Sequence, residues 1–210
     1  MKRGIILILA LCTMLVFPLS AYAMTYDVAA DDYTSLGWNS YGTNGYNYLP
    51  QFVIDDTPSI HVSSFYVWEH PDGWNLGEVG WVVNKGLLTP VQHFAAWERN
   101  GNYYKTHLGG ISTGTHYYTV RNEIGTNNYL FFTDGVQRLR VDMLGWRYGV
   151  SLASSERNTS SDSNWSHNWN LSKINSSGTW VSWGQVDTYQ DTDPWWYINP
   201  LSSTEYYVQN

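Results

Sequence analysis

The sequence consists of short runs in which apolar and polar residues alternate, separated by turn-forming residues. No window carries apolar residues at i, i+3, i+4 and i+7 between helix caps, so the pattern predicts strands and no long helix. Asp134-Gly135, between two such runs, is a strong signal for a two-residue hairpin turn.

The predicted strands are Ile60–Trp68, Leu76–Val83, His93–Glu98, Asn102–His107, Thr115–Asn122, Tyr129–Thr133, Val136–Asp142, Tyr148–Ser154, Thr179–Asp187 and Glu205–Gln209. Residues 157–178, rich in Asn and Ser, are predicted to form a long surface loop with at most a short strand or turn. About ten strands without helices predict an all-β sandwich or barrel.

The composition excludes two broad classes of protein. Aromatic residues make up 17% of the chain and charged residues only 14%, whereas disordered chains have few aromatics and much charge. The net charge of −7 and the lack of a basic cluster argue against a nucleic-acid partner.

The first 23 residues are predicted to be a secretory signal peptide. Lys2 and Arg3 precede an apolar run, and Ala21-Tyr22-Ala23 offers a small-x-small cleavage site. The apolar run is too short for a confident membrane span. We therefore expect a secreted protein, extracellular or periplasmic, that has no membrane contact after cleavage. Residues 24–210 would form one β-sandwich domain, expected to be a monomer. Because Cys12 lies inside the signal, the mature chain would have no disulfide and no thiol nucleophile.

Familiar catalytic and metal motifs are absent from the sequence. There is no Gly-x-Ser-x-Gly, no P-loop and no His-Glu-x-x-His. The six histidines are scattered without metal spacing, so no metal site and no cofactor are predicted. A structural calcium ion at Asp55-Asp56 or Asp191-x-Asp193 is a weaker alternative. His116 is interpreted as a packed or capping histidine, since the sequence names no carboxylate partner for it.

Glu78 is the most conspicuous charged residue, because it lies inside an apolar strand. Alternation places Val79, Trp81 and Val83 on one face, and Glu78, Gly80 and Val82 on the other. A carboxylate beside a glycine suits a concave sheet face where a ligand needs room. A charge that protects an edge strand from aggregation explains the pattern equally well.

Glu156 is the second glutamate of interest, at the end of a strand of small residues. Two carboxylates divide acid and base work when their environments push their pKa values apart. From the residues alone, an ordinary surface ion pair of Glu156 with Arg157 or Arg147 is the more common arrangement.

The surroundings of Glu78 resemble the glutamic peptidases that include neprosin and, more remotely, the eqolisins. The segment from Glu78 through Gly80-Trp81 to Val83, followed by Phe94-x-x-Trp97 and Gly101, is similar to the neprosin pattern. The resemblance implies a concanavalin A-like jelly-roll sandwich, with Glu78 and Glu156 as the catalytic pair acting on water and a polypeptide as substrate. Strict alternation puts Glu156 on the face of Val150 and Leu152, so a bulge would be needed to re-aim it if that face were core.

The competing hypothesis is a non-catalytic, lectin-like module that binds a glycan. Tryptophan rings stack on sugars, and the candidate substrate-binding residues for either function are Trp68, Trp74, Trp97 and Trp165. Core or hairpin packing is the more common role of each tryptophan. A glycosidase using the same glutamates and an exported interaction protein have no motif in their favour.

Overall fold

The computed structural model describes residues 25–31, 40–49, 60–69, 75–84, 91–157, 166–190 and 197–209. These residues form strands and connecting turns, with no helix among them. The strands are β1 (Thr25–Asp31), β2 (Gly42–Leu49), β3 (Ile60–Trp68), β4 (Leu76–Asn84), β5 (Val91–Arg99), β6 (Asn102–Gly110), β7 (Gly114–Asn122), β8 (Asn128–Thr133), β9 (Val136–Asp142), β10 (Val150–Arg157), β11 (Ser166–Ile174), β12 (Trp180–Ser182), β13 (Val186–Gln190), β14 (Tyr197–Ser202) and β15 (Glu205–Gln209).

The strands pair into two antiparallel sheets, which we call the front sheet and the back sheet. The front sheet has the order β13-β1-β10-β3-β4-β5-β6. The back sheet has the order β14-β15-β11-β2-β7-β8-β9, with β12 paired to β11. The prediction of an all-β sandwich with two antiparallel sheets is confirmed.

The predicted strands and the observed ones differ mainly in polar segments. Each predicted strand coincides with or overlaps an observed strand, and the run Thr179–Asp187 divides into β12 and the start of β13. The interpretation of residues 157–178 as a surface loop was wrong, because β11 lies inside the back sheet between β15 and β2. Asn168 of β11 is a buried polar residue, and the irregularity between Trp169 and Ser172 spaces the buried Leu171 and Ile174 three residues apart, so no alternation marks this strand. Strands β1, β2 and β14 were also missed.

Strand β2 shows why glycine-rich segments hide a core strand. Gly45 is buried, and a Cβ added there would lie 2.7 Å from Cε1 of Phe65 and 2.9 Å from Cδ2 of Leu171. The aromatic ring and the leucine fill the space above the glycine, so at this position the strand buries its backbone and no side chain of its own. A sequence pattern based on apolar side chains cannot register such a position.

The main core lies between the sheets, on one of the two faces that alternation distinguishes in β4. Val79, Trp81 and Val83 are buried there together with Tyr118 and Phe131 of the back sheet. The predicted in-and-out parity of β4 is therefore confirmed. Val82, on the other face of β4, belongs to a separate buried cluster with Val62, Phe94 and Ala96.

Strand β10 needs no bulge to place Glu156. Its pairing with β3 runs without a register shift from Val150 to Arg157. Ala153 belongs to the main core, whereas Leu152 and Val150 form a separate cluster on the outer face of the front sheet. A re-aiming bulge would be needed only if Val150 and Leu152 belonged to the main core, and they do not.

A buried polar network joins the two sheets through Asn47. The indole N–H of Trp81 donates to Oδ1 of Asn47. The Asn47 amide donates in turn to Oγ of Ser63 at 2.7 Å and to Oδ1 of Asn168 at 2.6 Å. Trp81 and Ser63 belong to the front sheet, and Asn47 and Asn168 to the back sheet. The network fixes how the sheets stack, because each group would lose its partner if they slid.

Within the described ranges, the chain has no helix with the length and apolarity that a membrane crossing needs. The predicted signal peptide and the two candidate calcium sequences lie outside the described residues.

Candidate functional site

Glu78 lies in the middle of the front sheet, on its outer face. Its backbone pairs with Tyr66 on one side and Ala96 on the other, and Ala96 pairs with Lys105 of β6. Paired residues of adjacent antiparallel strands share a face. A row therefore runs across the outer face from Leu152 through Glu78 to Lys105. Only the methyl group of Ala96 separates the glutamate from the lysine within that row.

The Glu78 carboxyl is buried, with 7% of the residue exposed. Burial raises its pKa from the ordinary value, since desolvation disfavours the charged form. Hydrogen bonds from the hydroxyls of Ser64 and Tyr103, and the charge of Lys105, oppose this effect without cancelling it. Glu78 is therefore a carboxyl that holds its proton to higher pH than an exposed glutamate and has donors arranged around it.

Two serine hydroxyls continue the polar contacts from Glu78 along the sheet. Oγ of Ser64 lies 3.0 Å from Oγ of Ser154 on the neighbouring strand. When Ser64 donates to Glu78, it can accept a hydrogen bond from Ser154. Both serines are buried. The two hydroxyls lie in the next row of the sheet, in the direction of Glu156.

Gly80 is required by the close approach of β3, not by space for a ligand. A Cβ at this position would lie 2.1 Å from the carbonyl oxygen of Ser63 and 2.6 Å from Cα of Ser64. The neighbouring backbone thus fills the space that the sequence interpretation assigned to a ligand. This approach brings Ser64 against β4, two residues from Glu78.

Gly80→Ala is expected to destabilise the protein, because the clash is with backbone that cannot rotate away. Overpacking of this kind costs about 1–3 kcal/mol, and each kcal/mol lowers Tm by roughly 2–4 °C in a chain of this size. Thermal unfolding followed by circular dichroism measures the change. Gly77→Ala is the matched control on the same strand, since its Cβ would meet only side chains, at 3.1 Å and beyond. An equal fall in Tm for both variants would contradict this account of Gly80.

The backbone of Glu156 has the same parity as that of Glu78 and lies two strands away. Glu156 pairs with Val62, which pairs with Val82, whereas Glu78 is in the row of Leu152. The two glutamates are thus offset by four residues along the strands and two strands across. For a flat sheet this corresponds to about 17 Å between Cα atoms. Ser64 and Ser154 occupy the row between them.

The tryptophans proposed as binding residues are in different places. Trp68 lies on the outer face with Tyr66, against the cluster of Val150 and Leu152, and is partly exposed. Trp97 is on the opposite face, where it packs against the main core and stacks on Tyr104 with ring centroids 5.5 Å apart. Trp68 shares a face with Glu78, and Trp97 does not. Trp74 and Trp165 lie outside the described residues.

A second cluster of titratable groups, His93, His116 and Asp134, was not found by sequence reasoning. Nδ1 of His116 lies 2.9 Å from Oδ2 of Asp134, and Nε2 of His93 lies 4.0 Å from the same oxygen. His116 therefore has a carboxylate partner, which the sequence alone could not name. The partner comes from the tip of the Asp134-Gly135 hairpin, and His93 comes from the other sheet. Only the pairing of β7 with β8 and the stacking of the sheets bring the three residues together.

Comparison with solved structures places the fold beside the eqolisins. Scytalido-glutamic peptidase with a transition-state analogue inhibitor aligns with a TM-score of 0.62 at 10% identity, over 89% of this chain and 98% of that one. SCP-B, an eqolisin peptidase in complex with the tripeptide Ala-Ile-His, aligns with a TM-score of 0.60 at 10% identity and the same coverage. A tetrameric galectin from the ball sponge Cinachyrella sp. aligns with a TM-score of 0.45 at 12% identity, over 70% of this chain and 98% of that one. No protein-family description matches the sequence. The resemblance to eqolisin-like proteins is confirmed at the level of the fold.

Proposed function

We propose that the protein is a secreted, glutamic-peptidase-like hydrolase that uses Glu78 as its general acid and Glu156 as its general base. The observation that carries the proposal is the environment of Glu78. Its carboxyl is buried on one face of a sheet, its pKa is raised by desolvation, and two hydroxyls and an ammonium surround it. The eqolisin-like fold is consistent with this function.

In the proposed reaction, the oxygen of a water molecule attacks the carbonyl carbon of a peptide bond. Glu156, ionised, takes a proton from that water. Glu78, protonated, gives its proton to the leaving amide nitrogen as the C–N bond breaks. Exchange with solvent then removes the proton from Glu156 and returns one to Glu78, which restores both groups. Because the pKa of Glu78 is raised, it can hold a proton while an ordinary glutamate is ionised, which is the division of roles that the mechanism needs.

A neighbouring cation would stabilise the negative charge that develops on the carbonyl oxygen. Lys105 offers a positive charge for this role, whereas the single hydroxyl hydrogens of Tyr103 and Ser64 are used in their hydrogen bonds to Glu78. The ammonium of Lys105 is held 4.5 Å from the ring centroid of Phe94, which limits its movement. Donors fixed in a desolvated site contribute more than the same donors in water.

The paired mechanism is tested by comparing Glu78→Gln, Glu156→Gln and the double variant on an unfolded polypeptide substrate. Residues that act as one catalytic unit have non-additive effects. We therefore expect the double variant to be no slower than the slower single variant, with products identified by mass spectrometry. Glu123→Gln is the control, because Glu123 pairs with Arg140 on the back sheet at 2.7 Å. Independent, multiplying losses from the two substitutions would contradict the pair.

Lys105→Met is expected to move the alkaline limb of the pH–rate profile to higher pH. Lys105 lowers the pKa of Glu78 by its charge, so its removal lets Glu78 keep the catalytic proton at higher pH. The maximum rate should also fall if Lys105 stabilises the oxyanion. Lys173→Met, on the back sheet, is the control. A profile that stays unshifted, or that moves to lower pH, would contradict the role given to Lys105.

Glycan binding is the second candidate function, and the position of Trp68 favours it. Trp68 is partly exposed on the same face as Glu78, where its ring could stack on a sugar. A glycan array probed with the wild-type chain and with Trp68→Ala separates the candidates. Binding that depends on Trp68, without any peptide cleavage, would favour the lectin-like function.

A further inference from the structure

From the arrangement of His93, His116 and Asp134 we infer a zinc-binding site that ties the two sheets together. Each residue offers one ligand atom, and the three atoms lie within 4.8 Å of one another. Two imidazole nitrogens and a carboxylate oxygen are a common donor set for Zn²⁺, with a fourth position left for water. The site is separate from Glu78, which lies on the opposite face of the front sheet. The inference does not depend on the proposed hydrolase function.

The contact between His116 and Asp134 requires a proton or a metal ion between Nδ1 and Oδ2. Nε2 of His116 lies 2.8 Å from the carbonyl oxygen of Ser112, which can only accept, so Nε2 carries a hydrogen. In a neutral ring Nδ1 would then present a lone pair to Oδ2 of Asp134 at 2.9 Å. Two lone pairs at this distance repel, so either a proton or a metal ion must lie between them. Zinc would replace the Nδ1 proton, which would leave to solvent.

His93 and Asp134, the other two proposed ligands, are also held by hydrogen bonds that leave one atom for the metal. Nδ1 of His93 lies 3.0 Å from the hydroxyl of Tyr118. When Nδ1 donates to that oxygen, Nε2 presents its lone pair toward Asp134. Oδ1 of Asp134 accepts a hydrogen bond from the backbone N–H of Tyr117 at 2.9 Å, which leaves Oδ2 for the metal.

All three candidate ligands therefore have their second polar atom held by a neighbour. Outer hydrogen bonds of this kind orient the ligands of established metal sites and fix their tautomers. Arg138 is the nearby cation whose charge acts on His93, and its guanidinium donates to Oγ1 of Thr133 at 2.8 Å. The edges of a tetrahedral zinc site are about 3.4 Å long. Small side-chain rotations would lengthen the 2.9 Å contact between His116 and Asp134 and shorten the 4.0 Å distance between His93 and Asp134 toward this value.

The backbone also supports the site. The pairing of β5 with β6 shifts register between His93 and Phe94, and such irregularities re-aim side chains. Asp134 has a φ of 51° in its hairpin turn, a conformation that Asp and Asn tolerate. The side chains of His93 and His116 are 9% and 12% exposed, and that of Asp134 is 43% exposed. Zinc therefore has a route to the site from the Asp134 side.

The test uses the untagged full chain and Co²⁺ as a spectroscopic substitute for Zn²⁺. We expect one equivalent of Co²⁺ to give the visible absorption of a four-coordinate ion, and Zn²⁺ to displace it. Free Zn²⁺ at about 100 times its Kd should raise Tm by roughly 5–10 °C. Asp134→Asn keeps an Asn-Gly hairpin turn and His116→Gln keeps a donor for Ser112, so both should fold. Each should weaken binding at least about 100-fold, above the 10- to 100-fold loss typical of outer-shell changes.

His167→Gln is the matched control, because Nε2 of His167 lies 2.8 Å from Oε1 of Glu205 in a pair with only one histidine. This variant should bind metal like the wild type. No four-coordinate spectrum in the wild type would overturn the inference. Binding that survives both Asp134→Asn and His116→Gln would place the metal elsewhere and would also overturn it.

Discussion

Glu78→Gln should lower kcat for peptide hydrolysis by about 10²–10⁴-fold, the usual contribution of a positioned general acid or base. Glutamine has nearly the same shape and can still accept hydrogen bonds from Ser64 and Tyr103, but it has no proton to give to a leaving amine. The fold should be retained, because the change is close to isosteric. Initial rates on a defined peptide, measured beside Glu123→Gln, give the ratio directly.

The same variant has a second expected effect, on stability. The pKa of Glu78 is raised in the folded protein, so its contribution to stability is present below the unfolded value and is lost as pH rises through the folded value. At pH 7 the buried carboxylate is a cost that glutamine removes. We expect Glu78→Gln to raise Tm at pH 7, because a neutral amide replaces a carboxylate that burial disfavours. The gain should disappear in acid. If Glu78→Gln were fully active and no more stable than the wild type at pH 7, the assignment of Glu78 as a buried catalytic acid would be contradicted.

Asn47→Leu is expected to cause a large loss of stability. The substitution keeps the branched shape of the side chain but removes the partner of the Trp81 indole, of the Ser63 hydroxyl and of Oδ1 of Asn168. Each buried group left without a partner costs about 1–3 kcal/mol. Leucine leaves no space for a water molecule to replace the amide. A loss of about 3 kcal/mol or more would lower Tm by roughly 6–12 °C.

Ser63→Ala is the graded comparison for this network, since it removes one acceptor and leaves the other two hydrogen bonds of Asn47 in place. Denaturant unfolding of both variants gives the two changes in free energy of unfolding. The expected order is a small loss for Ser63→Ala and a large one for Asn47→Leu. A stability of Asn47→Leu equal to that of the wild type would mean that the network does not hold the sheets.

The sequence predicted best where strands alternate sharply. The alternation in β4 put Glu78 on the face opposite Val79, Trp81 and Val83, and in the structure these three residues belong to the main core. The missed strands β2 and β11 bury glycine and polar residues at positions where an apolar side chain would be expected. In β2 a glycine is buried under Phe65, and in β11 an asparagine is buried in a hydrogen-bond network. Neither position has an apolar side chain, and the buried apolar residues of the two strands, Leu49 in β2 and Leu171 and Ile174 in β11, are too few to form an alternating pattern.

The sites illustrate a different limit of sequence reasoning. Glu78 could be singled out because its strand is otherwise apolar. The face of Glu156 could not be interpreted correctly without knowing that both faces of the front sheet carry buried apolar clusters. The cluster of His93, His116 and Asp134 depends on how the two sheets stack. Sequence spacing contains no information on that stacking, and only the hairpin signal at Asp134 marked part of the site.

The most direct test of the central proposal is the pH dependence of kcat/KM for peptide cleavage by the wild-type chain, measured in the presence of EDTA. A paired-glutamate hydrolase that holds its catalytic proton on Glu78 should cleave fastest in acid. Its rate should fall as pH rises through the raised pKa of that carboxyl, and it should be unaffected by the chelator. Absence of cleavage at every acid pH, or a rate that increases toward neutral pH, would contradict the assignment.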